Sequence, residues 1–362
     1  MPNETIHVAD QCLRPSEPLD TAAQLHALLT GVGVSLLADY AWMRVAGADR
    51  VRWLNGMVTN SIQEMKDGDG SYNFALNAQG RIQADLYAFA HPSAIMVEAD
   101  RARMPALIAM LDHFIIMDDV TLTDMSAAWA GIAIAGPGAA ALLCRIGLES
   151  AEPIDAMPAL RLTTATYKSA HLGLVHAFSP LVPRYEIWTD AATLDAIQSS
   201  LELAGATSCG PEALETLRLL EGTPRFGVDI RDKDLPQETA QTRALHFAKG
   251  CYLGQEIVER IRSRGNVHRT LSGFKLEGEL PAELPAPLLA TDPATGEAKP
   301  VGDLTSVARI PLPYGDLILA LGTVRREALE RAAASEGQPL TYTGGTASAV
   351  ALPYAVAASN PA

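Results

Sequence analysis

Lys249-Gly-Cys-Tyr-Leu-Gly-Gln-Glu256 is the stretch on which the reading of this 362-residue chain turns. Two glycines four residues apart flank a thiol, so the backbone can turn sharply and let another group approach closely. The following residues, Gln255 to Arg264, have Ile257, Val258 and Ile261 on one helical face and Glu256, Glu259, Arg260 and Arg264 on the others, with Gly265 as a stop. Cys251 is therefore expected just before a helix N-terminus and near Lys249, two features that favour a thiolate. A small buried residue in a structural turn is the alternative reading.

Outward from this stretch, charge is uneven. The chain carries a formal −14, yet Gln241 to Lys275 holds seven Lys or Arg against two Glu. A local +5 in an acidic protein suggests an anionic ligand or partner, or a solvated helix face. The overall charge disfavours unspecific binding to nucleic acid or anionic membrane. Composition is that of a folded globular protein, 48% hydrophobic and 19% charged, and the length calls for more than one core. The four cysteines, at 12, 144, 209 and 251, match no zinc or disulfide pattern, which points to a reducing cytoplasm. No metal site is expected, and no signal peptide or membrane span is visible.

The periodicities predict helices over 21–29, 50–58 (with Asp49 as cap), 104–114, 137–146, 191–204, 211–220 and 327–334. Strands are expected near 42–45, 94–98, 120–123, 131–135 and 185–189. Residues 72–76 and 81–90 alternate about Asn77-Ala-Gln-Gly80, a hairpin with a four-residue loop. Ile134-Ala-Gly136-Pro-Gly138 lacks the spacing of a phosphate loop and reads as a tight turn into a helix. Beyond Phe274, Pro and Gly become dense and short β runs follow, which predicts a small barrel. The fold class is α+β: antiparallel sheets with helices over residues 21–269, then a C-terminal β-barrel over 270–352. A loose arm (1–20) and a mobile tail (353–362) flank them.

The signature resembles that of the YgfZ family, K-G-C-[YF]-x-G-Q-E, at eight consecutive positions. Val45–Asn60, Leu76–Asp85, Leu217–Ile230 with Leu235-Pro-Gln-Glu238, and Gly302–Arg326 are similar to further segments of that family. The larger relative is the aminomethyltransferase, or T-protein, of glycine cleavage. The resemblance implies an aminomethyltransferase-like fold that binds tetrahydrofolate or a derivative. It also implies an accessory role in iron–sulfur cluster assembly or repair, reaching tRNA-modifying enzymes through their clusters, with Cys251 as the reactive group. Iron–sulfur client or assembly proteins are the implied partners.

Three departures from the T-protein bear on activity. Its hairpin carries two adjacent Asp where this chain has Ala84-Asp85. Its L-R-L-E glutamate falls here at Leu220, with Glu221 one place on. A thiol, Cys251, stands where it has a carboxylate. A folate-dependent aminomethyltransferase or demethylase using Asp85 is the alternative function. A pterin needs flat apolar faces and a few carboxylate partners. The candidates are Lys249, Gly250, Tyr252, Gly254, Gln255, Glu256, Glu221, Glu238, Asp85, Tyr72, Tyr185, Glu186 and Trp188, with Trp53 a further aromatic. Arg260, Arg264 or Arg269 are the candidates for an anionic tail, since guanidinium pairs with carboxylate in bidentate fashion.

Overall fold

The computed structural model describes residues 20–265, 267–292, 295–312, 315–334 and 338–356. The expected N-terminal arm lies outside them except for Asp20, as does the tail beyond residue 356.

Among the described residues the chain builds two sheets and a barrel. One sheet is antiparallel throughout, in the order Gly70–Leu76, Ile82–His91, Ala94–Asp100, Tyr40–Ala46, Thr121–Asp124. The other runs Thr207–Ser208, Gly33–Leu36, Ala130–Ala135, Arg184–Thr189, Ala170–His176, Arg161–Tyr167, Leu148–Ser150, with one parallel pair at its edge. Strands 161–167 and 170–176 had no strong sequence signal, because their alternation is interrupted by Thr and Gly.

Both sheets are amphipathic by alternation. In Arg184–Thr189, Tyr185 and Ile187 pack on the outer helices Ala139–Arg145 and Ala191–Leu203, while Trp188 points to the opposite sheet. The first sheet sends Met43, Val45 and Val97 outward against Trp53 and Leu54 of helix Arg50–Met57 and Leu107 and Leu111 of helix Met104–Asp112. Between the sheets lie Trp42, Phe89, Met96, Val175 and Trp188. Trp42 and Phe89 approach Trp188 with ring centroids at 5.8 and 5.4 Å. Each such side chain contributes roughly 1.5–3 kcal/mol by leaving water. The layering is helix, sheet, sheet, helix.

Asp49 does not cap the second helix through its side chain. Its carboxylate instead accepts from the Asp119 amide at 2.9 Å, tying the helix start to the strand that follows 118–120.

Six strands close the C-terminal barrel in the order Arg269–Gly278, Leu317–Arg325, Ala298–Ile310, Ala286–Thr291, Leu340–Tyr342, Gly345–Val350. Helix Pro211–Glu221 joins it to the sheets: Leu217 and Leu220 cluster with Leu319 and Leu321 of the barrel. Beneath this apolar contact, Asp229 is fully buried and accepts from Arg218 at 2.6 Å, Thr305 at 2.6 Å and Ser306 at 2.7 Å. The first tail residues are docked: the Tyr354 amide donates to Leu220 O at 2.7 Å. No helix of the described residues is long and apolar enough to cross a membrane.

Candidate functional site

Where the two sheets part, beside helix Pro211–Glu221 and the barrel edge, they leave a cavity of about 900 Å³. Its chemistry comes from both sheets. Tyr72, Asp85, Tyr87 and Glu98 project from the first, Arg184 and Glu186 from the second, Glu221 from the end of the helix, and Arg243 from the loop before the signature.

The hairpin supplies an acid. Asn77–Gly80 turns the chain, and Asp85 then sits opposite Phe74 with Tyr72 diagonal to it. The Tyr72 hydroxyl donates to Asp85 Oδ2 at 2.8 Å. Burial raises the Asp85 pKa to about 6, against the lowering effect of that hydrogen bond.

Arg243 closes one wall. Its guanidinium lies 3.8 Å from the Phe178 ring centroid and 4.1 Å from that of Tyr72, and donates to the Tyr87 hydroxyl at 3.3 Å and Gln241 Oε1 at 3.1 Å. Cation–π contacts of this kind contribute about 0.5–2 kcal/mol each. Glu221 accepts from the Ser179 hydroxyl, and burial raises its pKa.

Across the cavity, Glu186 pairs with Arg184 at 2.8 Å and accepts from the Trp188 indole at 3.3 Å. Glu98 faces Glu186, and burial followed by that like charge holds its carboxyl well above the usual range. Among the described residues, Glu98 Oε1 and Arg184 Nε are buried without a hydrogen-bond partner. Orphaned polar atoms in a cavity wall are costly unless a ligand or water meets them.

The sequence candidates divide by place. Asp85, Tyr72, Glu186 and Glu221 line the cavity together. Tyr185 faces the other way and donates its hydroxyl to Ile154 O. Trp188 and Trp53 are core residues, Trp188 between the sheets and Trp53 on helix Arg50–Met57 against the outer face of the first sheet. Glu238 closes its own turn by accepting from the Leu235 amide. Arg269 pairs with Asp303 at 3.4 Å.

The signature lies outside the cavity lining. Lys249 drives its ammonium into the protein, onto Asn55 O, Val58 O and Asn60 O at 2.7, 2.7 and 2.5 Å. Tyr252 is buried with Tyr72, Phe74 and Phe226. Gly254 has φ +81°, and a Cβ there would meet Asn77 O at 2.6 Å, so the loop seats directly on the hairpin turn. Gln255 accepts from the Tyr252 amide at 3.2 Å and begins helix Gln255–Arg264. Cys251 is exposed, as are Gly250, Glu256 and Arg260. The side chain of Arg264 lies outside the described residues. The motif thus braces the hairpin from behind and offers its thiol to solvent.

Arg243, Arg184, Glu98, Tyr87 and Phe178 escaped the sequence reading as site residues. Tyr87 carried a signal: it lies two residues from Asp85 on the same alternating strand, and so on the same face. Arg243 and Phe178 lie in irregular segments without period.

Comparison with known proteins agrees with this architecture. The chain is 27% identical over 311 residues to the aminomethyltransferase of Rippkaea orientalis, covering 83% of this chain and 80% of that one. To the aminomethyltransferase of Herpetosiphon aurantiacus it is 27% identical over 271 residues, 75% and 74% of the two chains. The crystal structure of the glycine cleavage system aminomethyltransferase T from Bartonella henselae superimposes with a TM-score of 0.80 at 20% identity, over 93% of this chain and 90% of that one, so the fold is shared. The family model described as the GCVT N-terminal domain matches residues 18–249, ending where the signature begins. With well over half its length matched by that model, the chain belongs to the GCVT N-terminal domain family.

Proposed function

We propose that the protein binds a reduced folate, tetrahydrofolate or a derivative, in the central cavity and acts as an accessory factor in iron–sulfur cluster assembly or repair. The observation that carries the folate reading is the cavity itself. Its volume lies in the range of sites for small organic ligands, roughly 300–1,000 Å³. Its wall combines aromatic faces with buried carboxyls and two orphaned polar atoms. A pterin is flat and carries donors and acceptors along its edges, which suits Glu98, Glu186 and Glu221 as edge partners and Tyr72, Tyr87 and Phe178 as faces. Arg184, Arg218, Arg225, Arg243 and Arg309 are the cations in the cavity lining available to an anionic part of the ligand, whereas Arg260 stands exposed on helix Gln255–Arg264.

Support for the accessory role comes from the position of Cys251. An exposed thiol outside the cavity suits contact with a macromolecular client better than contact with a bound small molecule. The likeness of Lys249–Glu256 to the YgfZ signature points the same way.

Calorimetric titration with tetrahydrofolate and its formyl derivatives tests the folate reading. A saturable isotherm that weakens in Glu186→Gln and Glu221→Gln is expected; absence of heat and of any thermal shift overturns it. For the accessory role, Cys251→Ala should bind folate normally yet fail to complement a strain lacking its own homologue. Full complementation removes the thiol from the function.

Asp85 favours a second reading, a folate-dependent aminomethyltransferase or demethylase. A carboxyl in a cavity wall with a pKa near 6 is suited to proton transfer close to neutral pH. Turnover of an aminomethyl-lipoyl carrier or an N-methyl substrate with tetrahydrofolate, lost in Asp85→Asn, is the test. No turnover over a broad panel sinks it.

A further inference from the structure

Lys249 is half-buried, with its amine end turned inward to a place where a cation has to be matched by acceptors. Its three acceptors are the carbonyls of Asn55, Val58 and Asn60, at and just past the C-terminal end of helix Arg50–Met57. The last carbonyls of a helix have no partner within it and carry partial negative charge, so an ammonium there satisfies both sides. In its protonated form Nζ donates to all three carbonyls and fixes the conformation of residues 58–60, while desolvation lowers its pKa to about 7.

That turn in turn holds the cavity wall. Thr59 Oγ1 donates to Ala244 O at 2.6 Å and accepts from the Phe74 amide at 2.9 Å. Asn60 Nδ2 donates to Arg243 O at 2.9 Å and to Tyr72 O at 3.1 Å. The His246 amide donates to Thr59 O at 3.2 Å. The backbone of Arg243 and of the residues just after it is thus pinned to the turn that Lys249 clamps, and so is the backbone of Tyr72. The Arg243 guanidinium is long and flexible. It stays between Phe178 and Tyr72 only if its own backbone and that of Tyr72 keep their spacing.

We propose that Lys249 is a positioning residue for the cavity, acting through the Val58–Asn60 turn to hold the Arg243 guanidinium between the faces of Tyr72 and Phe178. A lysine whose charge is spent on three carbonyls is unavailable to a bound ligand. The signature lysine then serves the cavity at one remove, although no signature residue lines it. The placement of Arg243 does not depend on which ligand the cavity takes. The effect of Lys249 on folate affinity rests on the function proposed above.

The test reads Arg243 directly in the full chain. Its side-chain Nε–H resonance is assigned by its loss in Arg243→Lys. In the wild type it is expected to be displaced by the ring currents of the two flanking aromatics. In Lys249→Met it should move toward the position of free arginine, and Asn60→Ala, which cuts the relay one link later, should move it the same way. Leu201→Ala, in the core beneath the far sheet, should leave it in place at comparable loss of thermal stability. In titrations, Lys249→Met and Arg243→Met should each weaken tetrahydrofolate about tenfold, and the double variant little further, because the two act as one unit. An unmoved Arg243 signal in folded Lys249→Met overturns the proposal. Should that variant fail to fold, an unmoved signal in Asn60→Ala does so, as does strict additivity of the two affinity losses. Should the wild type bind no folate while the signal moves as described, the folate reading fails and the positioning stands.

Discussion

The Tyr72 hydroxyl donates to Asp85 Oδ2 at 2.8 Å, diagonally across neighbouring strands of one hairpin, with Tyr72 buried and Asp85 half-buried in the wall of the central cavity. The bond lowers the Asp85 pKa, burial raises it, and burial wins, leaving it at about 6.

A pH dependence follows. Native Asp85 keeps its proton to higher pH than the unfolded chain does. Between about pH 4 and 6 the native state therefore binds more protons, and stability falls as pH rises through that window. The difference between 3.8 and about 6 corresponds to at most about 3 kcal/mol. Asp85→Asn keeps an acceptor for Tyr72 and removes the buried charge. Urea unfolding at pH 7.5 should show it more stable than wild type by up to that amount, with the gap closing by pH 4. An equal gap at both pH values would contradict the assignment.

Tyr72→Phe removes the donor while keeping the ring against Arg243 and Tyr87. It should cost about 1–2 kcal/mol, the usual effect of leaving a buried acceptor unpaired. It should also push the Asp85 pKa higher still, visible in the carboxyl resonance of Asp85 titrated in the two proteins.

Two glycines of the signature should respond in opposite ways. Gly254 is left-handed at φ +81° and touches the Asn77 carbonyl, so Gly254→Ala should lower stability by more than about 1 kcal/mol and loosen the hairpin turn. Gly250 has open space where a Cβ would stand, and Gly250→Ala should melt within about 0.5 kcal/mol of wild type. Thermal denaturation of the pair decides.

Thiol accessibility gives an independent reading. Cys251 and Cys144 are exposed, while Cys209 is buried and its pKa is pushed by burial to about 11. A thiol reagent at pH 8 should label Cys251 and Cys144 in the native protein at least tenfold faster than Cys209, with mass spectrometry of peptides as the readout.

Asp229 couples the barrel to helix Pro211–Glu221. Asp229→Ala takes away one of the two acidic partners of Arg218, Glu215 at 2.6 Å being the other, and leaves the Thr305 and Ser306 hydroxyls without their carboxylate acceptor. A loss of about 1–3 kcal/mol is expected from the buried groups left without a partner. Because the helix ends in Glu221, folate affinity should drop with it. Unfolding monitored by calorimetry and titration of the surviving fold check both effects.

Particular residues explain what the sequence made legible. The hairpin was readable because its turn residues and period-two pattern fall where backbone geometry demands them. Helix Gln255–Arg264 was readable because Gly254 and Gly265 punctuate it. Strand parity marks the limit: motif likeness nominated Tyr185 and Glu186 together, yet adjacent strand residues face opposite ways, and only Glu186 reaches the cavity. Lys249 shows another limit. A basic residue in a signature reads as a ligand contact, whereas its acceptors are carbonyls nearly 200 positions earlier. Arg243 was counted only as charge, because nothing local to an irregular loop indicates that two distant aromatic rings will enclose its side chain.

The Tyr354-to-Leu220 hydrogen bond carries a practical consequence. Leu352 also packs over Gly222, at the end of the same helix. The last described residues are thus a latch on the wall segment that presents Glu221. A chain shortened after Val350 would keep all six barrel strands and still release that latch. Expression boundaries set by strand ends alone would therefore yield a folded barrel beside an open pocket.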